Sequence, residues 1–260
     1  MSRFSRARKS PTVEGRRAVL ESLRSGRGIE RILMADGVEM GPQIKEIIFL
    51  ADQANVAVDA VSRQDLERQS STKKHQGVIA LVPDHRYVTV EDLIFVADER
   101  GDKPLIAVLD GVQDPHNLGA IARTVDAAGG HGLVIPERRA ASVTPGAMRA
   151  SAGALEHVPV ARMANLSRAV EVLQQVGVHV VGLDADADHT YTDHDYTGPT
   201  AIVVGAEGEG ISRLVRERCD TLVSIPLQGK LASLNASVSA GIVLYEAVRQ
   251  RLAAHSSEAR

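Results

Sequence analysis

The feature that most restricts the fold is the alternation of short apolar runs with helical patterns between residues 104 and 251. Apolar runs of this length without internal alternation predict strands buried on both faces, as in parallel sheets. Strands separated by helices predict an α/β fold with a doubly wound parallel sheet. The predicted strands are 105–109, 132–135, 157–161, 178–183, 200–204 and 222–225, and the predicted helices are 117–128, 145–151, 166–176, 210–218 and 236–251.

The composition favours the same type of core. Hydrophobic residues make up 44% of the chain, aromatic residues only 3%, and Trp is absent, so Val, Leu, Ile and Ala must fill the interior. The single cysteine, Cys219, excludes an internal disulfide and is expected to be a small buried hydrophobe. No apolar run approaches the roughly 18 residues of a membrane span, and no signal-peptide pattern follows the start. We therefore expect a soluble cytoplasmic protein with no membrane partner.

The first part of the chain predicts a smaller domain, residues 12–83. Helices are expected at 14–24, 42–53 and 62–68, and strands at 29–34, 56–61 and 77–82. Residues 1–11 contain mostly Arg, Lys and Ser and predict a basic disordered tail. Residues 84–103 are expected to form a linker, within which Thr89 and Asp92 predict the start of a helix to about residue 97. The second domain is then 104–260.

The charge is distributed unevenly between the two ends of the chain. Residues 1–31 hold nine basic and three acidic residues, a formal charge of +6, which leaves −9 for the rest of a chain whose net charge is −3. A basic end on an acidic body is typical of a protein that binds a polyanion through that end. An ordinary solvated tail would show the same pattern.

Three polar or glycine-rich blocks begin where predicted strands end. They are Gln113–Thr124, Val203–Gly210 and Ile225–Val238. Ligands of open α/β sheets bind outside the carboxyl ends of the strands. The three blocks therefore predict one composite site.

The first block contains two candidate residues. Asn117 stands where a helix N-cap is expected, ahead of an apolar helix. Arg123 interrupts that helix, so its guanidinium must pair with a carboxylate or phosphate, or else extend into solvent. Glu207, in the second block, is the carboxylate we expect to pair with it.

The second and third blocks differ in chemistry. The glycine loop after Val204 carries Glu207 and Glu209, and two carboxylates would repel a pyrophosphate, which disfavours a nucleotide-phosphate site. In the third block Ser233 and Asn235 alternate with apolar residues before the last helix. Such groups can bind an adenine or a carboxylate, and Asn235 is also the expected N-cap of that helix.

Together, in this order and spacing, the three blocks resemble the SpoU/TrmH branch of the SPOUT methyltransferases, over about residues 104–251. The resemblance implies a deep trefoil knot, transfer of a methyl group from S-adenosylmethionine to a ribose 2′-hydroxyl of RNA, and a homodimer. Residues 14–21 and 77–82 are similar to the RNA-binding domain, like ribosomal protein L30e, of bacterial 23S rRNA (guanosine-2′-O-)-methyltransferases. A guanosine in 23S rRNA is therefore the expected substrate, with no DNA partner and no metal.

The resemblance assigns roles to individual residues. The expected catalytic residues are Asn117, Arg123, Glu207, Ser233 and Asn235. The cofactor is expected to contact backbone groups of Gly205, Ile225, Leu227 and Leu234, where Leu227 replaces the Met that relatives often have. RNA phosphates are expected to contact the basic residues Arg8, Lys9, Arg16 and Arg17.

Three other functions stay open at the level of the sequence. A tRNA ribose methyltransferase would share the second domain, and a non-catalytic RNA-binding assembly factor would share the whole fold. A nicotinamide-dependent oxidoreductase is disfavoured by the acidic glycine loop.

Overall fold

The computed structural model describes residues 12–24, 28–70, 74–83 and 85–258. The chain folds into two compact units, residues 1–85 and 86–260. The expected disordered tail, residues 1–11, lies outside the described residues. Among the helices that are described, none is both long and apolar enough to cross a membrane.

The first unit is a four-stranded mixed sheet covered by helices on both faces. Its strands run in the order β1-β4-β2-β3, with β2 and β3 parallel and β4 antiparallel to both β1 and β2. Ile32 packs against the first two helices, whereas Leu33 packs against Leu66 of the third. The elements are β1 (Thr12–Glu14), α1 (Arg16–Arg24), β2 (Arg31–Ala35), α2 (Pro42–Gln53), β3 (Ala57–Val61), α3 (Arg63–Gln69) and β4 (Val78–Leu81). The predicted helices and strands are confirmed, but the three-residue β1 was not predicted because so short a run shows no periodicity.

Most of the segment expected to be a linker, residues 84–103, is packed into the second unit. Val88 forms a parallel bridge with Ala161, and the helix α4 (Val90–Arg100) follows it. Val90, Leu93 and Ala97 lie on one stripe of this helix and are completely buried. The predicted helix start is confirmed, because the Thr89 side chain accepts a hydrogen bond from the Asp92 backbone and the Asp92 side chain accepts one from the Thr89 backbone.

The second unit alternates strands and helices around a seven-stranded sheet. Every pair in this sheet is parallel, and the strand order is β7-β6-β5-β10-β8-β11-β9. The predicted α/β fold with a parallel sheet is therefore confirmed. The elements after α4 are β5 (Leu105–Asp110), α5 (Pro115–Ala127), β6 (Gly132–Pro136), α6 (Pro145–Ala150), β7 (Val160–Met163), α7 (Leu166–Gln175), β8 (His179–Leu183), β9 (His189–Thr190), β10 (Thr200–Gly205), α8 (Arg213–Arg216), β11 (Thr221–Ser224) and α9 (Ala236–Glu258).

Helices cover both faces of the seven-stranded sheet. Along β5, Leu105 and Leu109 pack in a cluster with residues of α5, α6 and α9, whereas Ile106 and Val108 pack in a second cluster with residues of α4, α7 and α8. Side chains of a strand alternate between its two faces, so a strand buried on both sides is apolar throughout. This is why the strands could be recognised as short continuous apolar runs.

The strand order places a crevice between β5 and β10. From β5 the chain adds β6 and β7 on one side of the sheet, and the later strands lie on the other side. Connections that lead away in opposite directions leave a crevice at the carboxyl ends of the two central strands. The first two polar blocks start at these two strand ends.

Candidate active site

The three polar blocks meet in a closed network of hydrogen bonds around Glu207. Its Oε1 accepts hydrogen bonds from Asn117 Nδ2 at 2.9 Å and from Asn235 Nδ2 at 2.6 Å. Asn235 Nδ2 also donates to Asn117 Oδ1 at 3.0 Å. The backbone N–H of Ala236 approaches the same Glu207 oxygen at 3.4 Å. Each block thus contributes one side chain to a triangle that joins the loops after β5, β10 and β11.

Asn117 is not a helix N-cap, so that prediction is wrong. The helix α5 begins two residues earlier at Pro115, and Asp114 caps it by accepting a hydrogen bond from the His116 backbone at 2.8 Å. Proline suits the first helical position because it has no N–H and its φ is already helical. The Asn117 side chain is consequently buried in the first turn and available to Glu207.

Asn235 does cap the last helix, as predicted. Its Oδ1 accepts hydrogen bonds from the Ser237 backbone at 2.9 Å and from the Val238 backbone at 3.4 Å, just ahead of α9. Because Oδ1 is used in the cap, the amide nitrogen faces Asn117 and Glu207. One side chain therefore both starts α9 and completes the network.

The expected ion pair between Arg123 and Glu207 is not formed, and that prediction is wrong. Arg123 is exposed and makes no ion pair or hydrogen bond with the described residues, which is the solvent-directed alternative. Arg123 lies six residues after Asn117, a rotation of about 240° around the helix, so the two side chains leave α5 on different faces. The carboxylate of Glu207 is bound by two amides instead.

A pocket of about 410 Å³ opens beside this network. All four expected cofactor-binding residues line it, and so do Glu207 and Ser233, whereas Asn117, Arg123 and Asn235 do not. Its volume is within the range of pockets that bind small ligands. The four expected residues are Gly205, Ile225, Leu227 and Leu234.

Gly205 is required by the folding of its own loop. The loop returns on itself, and Ala206 and Gly210 exchange two backbone hydrogen bonds of 3.0 and 2.9 Å. A Cβ atom on Gly205 would lie 2.1 Å from the carbonyl carbon of Gly210 and 2.3 Å from the Ile211 nitrogen. Positive φ is needed at Gly208 and Gly210 instead, at 80° and 70°.

The pocket is acidic. Four carboxylates line it, and the one cation among its lining residues is Arg216, which gives a formal charge of −3. Arg216 pairs with Asp184. Burial works to raise the pKa of Asp184, but hydrogen bonds from Arg216 and from the Asp186 backbone outweigh it and hold the pKa below its usual range. An acidic lining suits a cationic ligand and disfavours a pyrophosphate.

Sequence reasoning missed the contribution of the loop after β8. Asp184 and Asp186 line the pocket, together with Arg216 of α8. The signal was present, since Asp184 directly follows an apolar strand, as the three recognised blocks do. No glycine or amide pattern accompanies Asp184, so the sequence does not single out this loop as part of a site.

The four residues expected to bind RNA are only partly described. Arg8 and Lys9 lie outside the described residues. Arg16 and Arg17 form the first turn of α1, where Arg17 is exposed and Arg16 Nε donates a hydrogen bond to the backbone oxygen of Gln76 at 3.3 Å.

Two family models match the chain, one over each unit. The model of the SpoU rRNA methylase family matches residues 104–245. A model described as RNA 2′-O ribose methyltransferase substrate binding matches residues 12–88.

Individual proteins show the same similarity. A Bacillus subtilis protein named as a TrmH family tRNA/rRNA methyltransferase, YacO, is 44% identical over 239 residues, which span 92% of this chain and 95% of that protein. The structure of an AdoMet-bound rRNA methyltransferase from Sinorhizobium meliloti matches with a TM-score of 0.62 and 26% identity, covering 93% of this chain and 87% of that one. A TrmH/SpoU tRNA modifying enzyme of A. aeolicus matches with a TM-score of 0.54 and 34% identity, and covers 64% of this chain and 84% of its own.

Proposed function

The chain belongs to the SpoU rRNA methylase family, and from that premise we propose that it methylates the ribose 2′-hydroxyl of a guanosine in 23S rRNA. Membership makes it an RNA 2′-O-ribose methyltransferase of the tRNA/rRNA type, with S-adenosylmethionine as its cofactor. The observation that carries the proposal is the position of Glu207, which joins the three loops and also lines the acidic pocket.

The pocket fits this cofactor. When bound, S-adenosylmethionine supplies an electrophilic methyl group on a positively charged sulfur. The lining offers carboxylates that stabilise such a charge, and the loops at Gly205 and Ile225 offer backbone groups to an adenine. We propose that Gly205, Ile225, Leu227 and Leu234 hold the cofactor.

The network residues are proposed to act mainly by positioning. Asn117 and Asn235 hold Glu207, and Glu207 in turn fixes the loop that carries Gly205 against the loop before α9. Ser233 presents an exposed hydroxyl at the pocket. Such a fixed frame aligns a donor and an acceptor, and this alignment lowers the barrier to a direct transfer.

Arg123 is proposed to orient an RNA phosphate next to the reacting hydroxyl. A guanidinium keeps its proton at neutral pH, so it cannot serve as the base. The proton of the 2′-hydroxyl is then accepted by an RNA phosphate or by water. Replacing Arg123 with Ala is expected to lower turnover far more than RNA affinity, and unchanged turnover would remove Arg123 from the active site.

The first unit supports rRNA rather than tRNA as the substrate. The rRNA methyltransferase of Sinorhizobium meliloti matches nearly the whole chain, whereas the tRNA modifying enzyme of A. aeolicus matches only about two thirds of it. A tRNA-modifying relative can therefore do without a region as large as the first unit. We propose that this unit binds rRNA, with Arg16 and Arg17 contacting phosphates.

Mapping of ribose methylation in rRNA and tRNA tests the substrate. Cells with and without the gene should differ at one guanosine of 23S rRNA, and a difference in tRNA alone would refute the proposal. In vitro, the Arg16→Ala/Arg17→Ala variant should methylate 23S rRNA less at subsaturating RNA. The matched control is Arg24→Ala/Arg31→Ala, which removes two arginines of the same unit that pair with Glu46 and Asp59.

A homodimer is proposed through α9. Three apolar residues at seven-residue spacing are about half exposed or more, which is a stripe on one face of this helix: Val238 (49%), Tyr245 (50%) and Leu252 (63%). Val243 of the same helix is completely buried in the core and cannot belong to this surface. Replacing Tyr245 with Glu should give a monomeric mass in light scattering, and a wild-type monomer under assay conditions would refute the dimer.

The dimer would explain why Arg123 lies outside the pocket of its own chain. The helix α5 packs against α9, since a Cβ on Gly241 would lie 3.8 Å from the Thr124 methyl group. A two-fold interface at α9 would bring Arg123 toward the pocket of the other copy. Co-expressed Arg123→Ala and Glu207→Ala chains, each inactive alone, should then recover activity, because one site of every mixed dimer is intact.

Three further expectations stay predictions. The trefoil knot, the cytoplasmic location and a role in rRNA processing follow from the resemblance and from the proposed substrate. A non-catalytic assembly factor is the alternative function. Methyl transfer by the purified protein excludes that alternative, whereas binding of cofactor and RNA without transfer would favour it.

A further inference from the structure

The loop that joins β6 to α6, residues 137–144, is anchored at both ends. At its start, the Glu137 N–H donates to the Met163 oxygen at 2.9 Å, and the Glu137 oxygen accepts from Arg162 Nη2 at 3.0 Å. Near its end, the Val143 N–H donates to the hydroxyl of Tyr87 at 3.1 Å. The guanidinium of Arg162 also stacks over the Tyr87 ring, 5.0 Å from its centre. Both ends of the loop are therefore held against the rest of the second unit.

Two consecutive arginines occupy the exposed part of this loop. Arg138 and Arg139 are both exposed, and neither makes an ion pair or hydrogen bond with the described residues. Arg139 adopts the left-handed conformation, with φ of 56°, which is unfavourable for a residue with a Cβ atom. Backbone strain of this kind persists where the surroundings over-determine it and is common at ligand-binding sites.

Several other arginines of the second unit are neutralised, although Arg123 is not. Five of them pair with carboxylates of the same unit, in the pairs Arg168–Glu171, Arg213–Glu217, Arg216–Asp184, Arg218–Glu171 and Arg249–Glu246. Carboxylates are thus abundant on this acidic unit, yet the two loop arginines are left without one. Two neighbouring unneutralised guanidiniums on an anchored loop are suited to bind phosphates.

The arginine loop also lies beside the candidate active site. The Ala141 N–H donates at 2.8 Å to the oxygen of Val112, which belongs to the connection between β5 and α5. After the loop, α6 packs directly on α5, because a Cβ on Gly119 would lie only 2.4 Å from the Ala147 oxygen. The helix α5 carries Asn117 two residues before Gly119. The arginines therefore stand next to the helix that forms one corner of the Glu207 network.

We propose that Arg138 and Arg139 form a preformed phosphate-binding element that positions the RNA strand beside the methyl-donor pocket. They contact phosphates near the target ribose, whereas the first unit binds elsewhere on the RNA. Arg162 and Tyr87 are positioning residues that hold the loop. The inference rests on the RNA-methylating function proposed above, and it assigns to the second unit an RNA contact of its own.

The test compares two double variants of the full chain. Arg138→Ala/Arg139→Gly removes the loop charges, with glycine at the position of positive φ so that the backbone is retained. Arg168→Ala/Arg213→Ala removes the same charge from exposed arginines that are ion-paired. Affinity for a labelled single-stranded RNA oligonucleotide of mixed sequence is measured over a series of KCl concentrations, and cofactor affinity is measured by calorimetry.

The loop variant is expected to bind RNA roughly tenfold more weakly and to lower the salt slope by about 1.4, which is two phosphate contacts at roughly 0.7 each. Cofactor affinity should be unchanged. The variant Arg138→Lys/Arg139→Lys should keep the slope, because each lysine still neutralises a phosphate.

Equal slopes and affinities for the loop variant and the control would overturn the inference, even if the wild type methylates RNA normally. If RNA binding depends on the loop but the wild type transfers no methyl group, the inference stands and only the proposed function fails. A wild type that does not bind RNA would refute both.

Discussion

Substitution of Gly205 by Ala should disable cofactor binding while leaving the fold in place. Ordinary contacts of a Cβ atom begin at 3.4 Å, and the Gly210 oxygen would lie at 2.3 Å, so it must move by about 1.1 Å. A movement of this size disrupts the two hydrogen bonds between Ala206 and Gly210. Their loss costs about 1 kcal/mol each, and overpacking adds about 1 kcal/mol, so the native loop is destabilised by about 3 kcal/mol.

The affinity for S-adenosylmethionine should fall by about a hundredfold, because binding must first restore the native loop at a cost of about 3 kcal/mol. Titration calorimetry measures the affinity, and circular dichroism checks that the fold is retained. Gly229→Ala is the matched control, since nothing lies within 4 Å of the added Cβ and the glycine is in a neighbouring loop. If Gly205→Ala bound the cofactor as well as this control does, the steric argument would be refuted.

Three further substitutions probe the cofactor contact and the core. Leu227→Met should leave cofactor affinity nearly unchanged, because the exchange conserves volume and the proposed contact is to the backbone, and a tenfold loss would contradict this. Arg251→Met should lower the free energy of unfolding by about 3 kcal/mol, because the guanidinium donates hydrogen bonds to the backbone oxygens of Lys103, Pro104, Tyr196 and Gly198. Denaturant unfolding measures this free energy, and an unchanged value would refute a stabilising role for Arg251. Burial is the main cause that lowers the pKa of His131 in the folded state, so the unfolded chain binds the proton more readily. The protein should therefore become less stable as the pH falls below 6.5. The Nδ1 of His131 accepts the Leu105 N–H at 3.0 Å and must stay unprotonated, so His131→Asn, which keeps an acceptor, should flatten this pH dependence, and an equally steep dependence in the variant would rule out His131 as its source.

The elements of secondary structure were largely predictable because their signals are local. The run Leu105–Leu109 is apolar at every position, which is the pattern of a strand covered on both faces, and it forms most of β5, the neighbour of the middle strand β10. The cap at Thr89 depends on a residue three positions away. The strand β9 was missed because two residues show no periodicity.

The contacts of the candidate site were predictable only in part. The sequence indicated that the three blocks follow the ends of three strands and should meet, and in the structure they meet around Glu207. It suggested Arg123 as the partner of Glu207, because opposite charges attract. Starting α5 at Pro115 rather than Asn117 places Asn117 inside the first turn, where its side chain reaches Glu207. A boundary shift of two residues is within the uncertainty of any pattern. The acidic loop at Asp184 carried a signal that was too general to single out.

By itself the sequence determined the α/β class, the parallel sheet, most helix starts and the place of the site at the strand ends, since all of these depend on neighbours in the chain. Only the tertiary structure decided which side chains touch. Glu207 is 90 residues from Asn117 along the chain and 28 from Asn235, and the three meet because β10 inserts beside β5. Strand order arises from the packing of the whole sheet, and no local sequence pattern specifies it. The same packing makes Gly205 indispensable to its loop and leaves Arg138 and Arg139 exposed beside the site.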